Sequence, residues 1–86
     1  DARAVLRKQM KSLPKDAGER LVALEHCFRE ACAIRLGTTA SAVTYEGIEG
    51  LGDEYTDLYR DLEAARYGGS EVDSIESRVK RIVGAL

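Results

Sequence analysis

The sequence has no tryptophan, one proline, one histidine and two cysteines in 86 residues. It has no apolar run near the roughly 18 residues that a membrane-spanning helix requires, and it shows no signal peptide. Residues that favour strands are few and never alternate regularly with polar ones, so nothing indicates a β-sheet. These absences exclude a membrane span among the 86 residues and a fold built on strands.

The single histidine and the two cysteines offer little for catalysis or metal binding. His26 has no triad partner, and pairing it with Cys27 fails because adjacent helical residues point about 100° apart. Cys27 and Cys32 lie five residues apart in one helical pattern, which separates their Cα atoms by about 8 Å and makes a disulfide between them implausible. We predict buried, free cysteines, a reducing compartment, and a chain that is not an enzyme and has no catalytic residue, cofactor or metal ion.

The residues that are abundant favour helices. Hydrophobic residues make up 44% of the chain and charged residues 33%, which suits a folded domain. Alanine, leucine, arginine and glutamate dominate, and all are good helix formers. A chain of this length forms one domain with a modest core. The sequence therefore predicts an all-α protein, a compact bundle of four to five short helices.

The spacing of apolar residues and the capping residues set the predicted helix boundaries. We expect helices over residues 2–12, 16–36, 45–50 and 53–67, and a last helix after residue 70. The predicted N-caps are Asp1, Asp16, Thr44 and Ser70. Gly37 is expected to end the second helix in the left-handed conformation. Glycines 47, 50 and 52 weaken the third helix, because each costs roughly 1 kcal/mol relative to alanine.

Four of the five predicted helices have apolar residues at helical spacing. The stripe of the first helix is Val5, Leu6, Met10 and Leu13. That of the second is Leu21, Leu24, Phe28, Ala31 and Ile34 or Arg35, and that of the fourth is Tyr55, Leu58, Tyr59, Leu62 and Ala65. The last helix has the cleanest pattern, with Val72, Ile75, Val79, Ile82, Val83 and Leu86.

Charge is distributed unevenly along the chain, although the formal net charge is only −2. Residues 1–15 carry five cations against Asp1, a net charge of +4, and residues 46–63 carry seven carboxylates against Arg60, a net charge of −6. We therefore divide the chain into a basic N-terminal, juxtamembrane-like helix over residues 1–14 and a helical bundle over residues 15–86. The predicted partner-binding residues are an acidic face and a basic helix: Asp53, Glu54, Asp57 and Asp61, with Arg3, Arg7, Lys8 and Lys11.

Two other classes of function remain open. An exposed His26 with the basic Arg29 three positions on has a faint likeness to histidine phosphotransfer domains, although Glu30 stands where a small residue is expected. The last two helices, joined at Gly68-Gly69, allow a helix-turn-helix DNA-binding domain that would present Arg78, Lys80 and Arg81. Acidic residues at 71, 73 and 76 and the negative net charge oppose that interpretation, so we expect no nucleic acid among the partners.

The order of helices and two short motifs resemble a known family. The long second helix ends in Ile34-Arg35-Leu36-Gly37, and the fourth ends in Arg66-Tyr67-Gly68-Gly69 before the final amphipathic helix. Over residues 15–86 this resembles the C-terminal cytoplasmic segment of bacterial BatD, the oxygen tolerance or aerotolerance proteins. We expect Arg66 and Tyr67 to anchor the helix end rather than to bind a partner.

The resemblance implies a setting and partners. BatD proteins are membrane proteins whose transmembrane helix precedes a small helical tail, and the chain begins at Asp1 rather than methionine, so we expect it to be a segment of such a parent, anchored just upstream. The implied location is the cytoplasmic face of the bacterial inner membrane. The implied partners are other Bat proteins with von Willebrand A-type domains and a MoxR-type ATPase, in an aerotolerance or stress complex. The family attaches no catalytic residue to this tail.

Overall fold

The computed structural model describes residues 1–68 and 72–86, and both stretches are helical apart from short connections. Within them the chain forms five α-helices: α1 (Ala2–Lys11), α2 (Ala17–Leu36), α3 (Tyr45–Gly50), α4 (Asp53–Ala65) and α5 (Val72–Gly84). A single 3₁₀ turn, Ala40–Ala42, interrupts the connection between α2 and α3. No strand occurs in these two stretches. The predicted all-α bundle is confirmed.

The long helix α2 is the centre of the bundle. It packs against α1, α4, α5 and the 3₁₀ turn. Leu24, Phe28 and Ala31 are buried at helical spacing, and Phe28 also contacts the tyrosine rings of α4. Because several neighbours cover α2, its buried residues form a broad face rather than a narrow stripe.

Short polar side chains start the first three helices, as predicted. Asp1 Oδ1 accepts from the Arg3 amide at 2.9 Å, Asp16 Oδ2 from the Glu19 amide at 3.0 Å, and Thr44 Oγ1 from the Gly47 amide at 3.2 Å. The predicted cap at residue 70, together with residues 69 and 71, lies outside the described residues.

Two helix ends differ from the predicted boundaries by one or two residues. The first helix ends at Lys11 rather than residue 12, and the fourth ends at Ala65 rather than residue 67. The predicted terminator of α2 is confirmed, because Gly37 has φ 68° and ψ 36°, in the left-handed region that glycine adopts without strain.

Helix α1 packs into the same hydrophobic core as the other described helices. Leu6 and Met10 are buried in the same cluster as residues from every other α-helix. The predicted division between residues 1–14 and 15–86 therefore separates regions of different charge, while their apolar side chains meet in one core. Val5, an apolar position of the predicted first helix, lies outside this core: it is 55% exposed, because Leu6 and Met10 occupy the inward side of α1.

Candidate functional site

The four predicted acidic residues of α4 divide into two groups. Glu54 lies 2.6 Å from the guanidinium of Arg81, and Asp61 pairs with Arg78. Both arginines belong to α5, so these two carboxylates help to hold α4 against α5. Asp53 and Asp57 are exposed, and in the described part of the chain neither has a basic group within 4.0 Å.

The four predicted basic residues of α1 also divide. Arg3 donates a hydrogen bond from Nε to the carbonyl oxygen of Leu86 at 2.9 Å, so it has a structural role. Arg7, Lys8 and Lys11 are exposed. Among residues 1–68 and 72–86, no carboxylate lies within 4.0 Å of these three side chains.

The unpaired charge on α1 contrasts with the basic residues elsewhere. In the described residues, every arginine or lysine after position 15 has an intramolecular partner: Arg20 with Glu76, Arg29 with the carbonyls of Ala40 and Val43, Arg35 with the Tyr55 ring, Arg60 with the Tyr45 hydroxyl, Arg66 with Glu25 and Glu63, Arg78 with Asp61, Lys80 with Glu76, and Arg81 with Glu54. Positive charge that is free for a partner is therefore concentrated near the start of the chain.

The geometry around His26 does not suit phosphotransfer. The His26 side chain is 58% exposed, as such chemistry requires, but Glu30 Oε1 lies 3.9 Å from its Nε2. A carboxylate there repels a phosphoryl group. Arg29, the basic residue that the phosphotransfer hypothesis needs beside the histidine, donates instead to the carbonyl oxygens of Ala40 at 3.1 Å and Val43 at 3.0 Å.

The basic residues of α5 are likewise occupied. A helix-turn-helix domain would present Arg78, Lys80 and Arg81 to DNA, yet each of them lies in an ion pair with a carboxylate of α4 or α5. Phosphate oxygens would have to compete with these internal partners, which weakens the electrostatic attraction on which DNA binding depends.

The two cysteines are free and buried, as predicted. Burial raises the pKa of the Cys32 thiol to about 12, and it raises the pKa of Cys27 as well, with Glu30 adding to the effect. In the part of the chain that the structure describes, no group of three or more histidine, cysteine or carboxylate side chains is arranged to hold a metal ion.

A groove between α1 and α2 was not predicted from the sequence. Its wider half, with a volume of about 460 Å³, lies between Ser12–Pro14 and the start of α2. Its narrower half lies between Val5 and Glu30, and Gln9 and His26 line both halves. We call this continuous surface the α1–α2 groove.

Two valines expose apolar surface at this groove. Val22 lines the wider half and is 69% exposed, and Val5 lines the narrower half and is 55% exposed. The signal in the sequence is that each valine is next to a leucine of the predicted apolar stripes (Leu6 and Leu21), so it lies about 100° around the helix from that leucine. The apolar pattern includes Val5 in the first helix and indicates no role for Val22.

The residues that carry the resemblance to BatD have structural roles here. The Arg35 guanidinium lies 5.5 Å from the centre of the Tyr55 ring, and Gly37 ends α2. Arg66 anchors the end of α4, with Nε 3.3 Å from Glu25 of α2. The prediction that Tyr67 is also an anchor is wrong, because it is 87% exposed.

Comparison with protein-family models, curated proteins and solved structures gives no match for this chain. Across residues 1–68 and 72–86, no helix combines the length and the apolar composition needed to cross a bilayer.

Proposed function

We propose that this chain is a non-catalytic protein-interaction domain whose basic first helix binds an acidic surface on a partner protein. The proposal rests on one observation: the basic side chains that have no internal partner are concentrated on α1. Arg7, Lys8 and Lys11 are exposed without an internal carboxylate in the described residues, while the basic residues of the later helices are engaged within the domain. A helix that packs into the core and presents unpaired cations suits electrostatic recognition.

We extend the proposal to the setting that the family resemblance implies. In that setting the chain is the cytoplasmic tail of a membrane-anchored, BatD-like protein at the bacterial inner membrane. Its partners there are Bat proteins with von Willebrand A-type domains and a MoxR-type ATPase, and the assembly serves aerotolerance or stress resistance. The support is the pair of motifs at residues 34–37 and 66–69 and the basic charge near the start of the chain, where Lys and Arg accumulate beside a membrane.

An affinity experiment tests this proposal. The 86-residue chain is used as bait in a lysate of the source organism, and bound proteins are quantified by mass spectrometry. One variant carries Arg7→Glu and Lys11→Glu. A matched control carries Arg60→Glu and Lys80→Glu, which changes the net charge equally on other helices. We expect a MoxR-type ATPase or von Willebrand A-type proteins to be enriched by the natural chain and the control, and at least about tenfold less by the α1 variant.

Several outcomes would contradict the proposal. Equal recovery of partner proteins by the natural chain and the α1 variant would show that α1 does not take part in recognition. Recovery of response regulators, together with phosphate incorporation that a His26→Gln substitution abolishes, would favour phosphotransfer. Retention of duplex DNA with a steep dependence on salt would favour the helix-turn-helix alternative.

A further inference from the structure

The wider half of the α1–α2 groove, here called the slot, lies between two apolar walls. One wall consists of Leu13 and Pro14, which follow α1, and the other is a strip of α2 that includes Val22 and Ala23. The slot reaches inward to Cys27, a residue that is only 2% exposed. Its volume of about 460 Å³ lies within the roughly 300–1,000 Å³ of pockets that hold small organic ligands.

Polar side chains stand at the two ends of the slot. The residues of α2 that line it lie on one strip of the helix, about 12 Å long: Glu19, Val22, Ala23, His26 and Cys27. Glu19 lies at one end of this strip and His26 near the other, and Gln9 and Ser12 add hydrogen-bonding groups from the side of α1. An apolar middle with a few polar groups is typical of a site that orients a small ligand.

Negative charge distinguishes the Glu19 end of the slot. Among the described residues that line it, Glu19 is the only carboxylate, and none is a lysine or an arginine. No basic group in the described part of the chain lies within 4.0 Å of the Glu19 carboxylate. Asp16, whose Oδ2 accepts from the Glu19 amide, places a second carboxylate near this end, whereas Lys15 does not line the slot. The Glu19 end therefore favours a positively charged group.

We infer that the slot is a binding site for a small aromatic amine, a molecule with a flat ring and a protonated amino group. The ring lies between Pro14 and Ala23, next to Cys27, and the ammonium group faces Glu19. A rigid ring contacts both walls at once and loses less conformational freedom on binding than an alkyl chain of the same size. The ammonium group gains a charge-assisted contact with the carboxylate.

Other small ligands match the slot less well. An anionic ligand would bring its charge towards Glu19 or would lose hydration against apolar walls. A neutral ring fits the walls and leaves Glu19 without a partner. Because Glu19 is exposed, solvent screens its contact with the amine, so the preference for positive charge is modest. We expect a dissociation constant on the order of 1 mM for an amine of about 12 non-hydrogen atoms.

NMR titration of the isotope-labelled chain tests the inference with three probes that share one ring. They are 1-naphthylmethylamine, the neutral 1-naphthylmethanol and the anionic 1-naphthoate, each used up to roughly 5 mM. We expect the amine to cause saturable shifts of the amide signals of Val22, Ala23 and Cys27. It should bind about threefold more tightly than the alcohol and at least about tenfold more tightly than the carboxylate.

Two substitutions separate the charge from the apolar walls. Glu19→Gln should weaken amine binding about threefold and leave alcohol binding within about twofold. Ala23→Leu fills the slot and should weaken the amine and the alcohol at least about tenfold. Ala23 is partly exposed and leucine favours helix, so the fold is retained, which circular dichroism checks. Glu46→Gln is the matched control without an expected change, since Glu46, like Glu19, is an exposed carboxylate in the first turn of a helix.

Four results would overturn the inference. They are a natural chain without saturable shifts, equal affinity for the three probes, an undiminished preference for the amine in Glu19→Gln, and full binding by Ala23→Leu. Two further results would give the slot another occupant. A blocked Phe-Lys dipeptide that binds at least about tenfold more tightly than the amine would assign it to a partner protein. Amide signals of the slot that shift when the free chain is diluted would assign it to a second copy.

The inference does not depend on the proposed function. Arg7 and Lys11, which the affinity experiment alters, do not line the slot. The NMR titration contains no partner protein, so failure of the amine to bind and failure of the lysate experiment are separate results.

Discussion

At the scale of single residues, burial determines the chemistry of the cysteines. Cys32 is fully buried and Cys27 nearly so. Because a thiolate is poorly solvated there, burial raises the pKa of both thiols above the usual value, and that of Cys32 reaches about 12. The folded protein therefore keeps both thiols protonated at pH values where a free cysteine ionises. Protonated, inaccessible thiols are inert towards oxidants and alkylating reagents.

This burial predicts a loss of stability at high pH. The unfolded chain releases its cysteine protons near pH 8.5, whereas folded Cys32 holds its proton until about pH 12. The protonated Cys32 thiol therefore contributes its full stabilisation below about pH 8.5, and the free energy of unfolding falls as pH rises above that value. Urea unfolding at pH 7.5, 8.5 and 9.5 measures how steeply the free energy of unfolding falls with pH. The Cys32→Ala substitution should make this fall shallower. The same slope in both proteins would contradict the assignment.

At the scale of elements, local signals were predictable and long-range contacts were not. The caps at Asp1, Asp16 and Thr44 depend on residues two or three positions away, and the sequence shows these directly. The pairing of Glu54 with Arg81 joins residues 27 positions apart, and no spacing rule reveals it. For this reason the sequence predicts the four acidic residues of α4 as one surface, although two of them form ion pairs with arginines of α5.

Glycine in the third helix shows the same limit. The sequence indicated only that Gly47 weakens α3. In the structure a Cβ on Gly47 would lie 3.0 Å from Cδ1 of Leu36, so the missing side chain leaves room for the Leu36 side chain at the end of α2. A local propensity scale cannot contain this contact, because the two residues belong to different helices.

Two glycine substitutions separate backbone conformation from packing. Nothing lies within 4 Å of a Cβ placed on Gly37 or on Gly50, but only Gly37 has a positive φ. Gly37→Ala should therefore reduce the free energy of unfolding by about 1–2 kcal/mol, because alanine is strained in the left-handed region. Gly50→Ala should raise it by a few tenths to about 1 kcal/mol. Chemical denaturation measures both, and equal effects would refute the conformational explanation.

At the scale of the whole molecule, one core joins the basic first helix to the rest. Leu6 of α1 is 2% exposed and packs in the same cluster as Ile82 and Leu24. The sequence predicted the apolar stripes but could not show which helices they join, since that depends on the packing of all five. The groove between α1 and α2 escaped prediction for the same reason.

Unfolding should therefore be cooperative across the charge boundary. All four tyrosines lie between residues 45 and 67, so tyrosine fluorescence reports on the region around α3 and α4. We expect Leu6→Ala to lower the stability measured by that signal by about 2–5 kcal/mol, although no tyrosine lies in α1. Val5→Ala, the neighbouring and exposed position, should change it by less than about 0.5 kcal/mol. An unchanged tyrosine transition in Leu6→Ala would show that α1 unfolds separately.

The hydrogen bond between Arg3 and Leu86 has a topological consequence. Its donor and acceptor are 2.9 Å apart in space and 83 positions apart along the chain, so the polypeptide enters and leaves the bundle at nearly the same place. Domains with adjoining ends accept circular permutation and can be inserted into a loop of a host protein. Inserted into a loop of a larger protein, this bundle would therefore leave the two host segments that flank it close together.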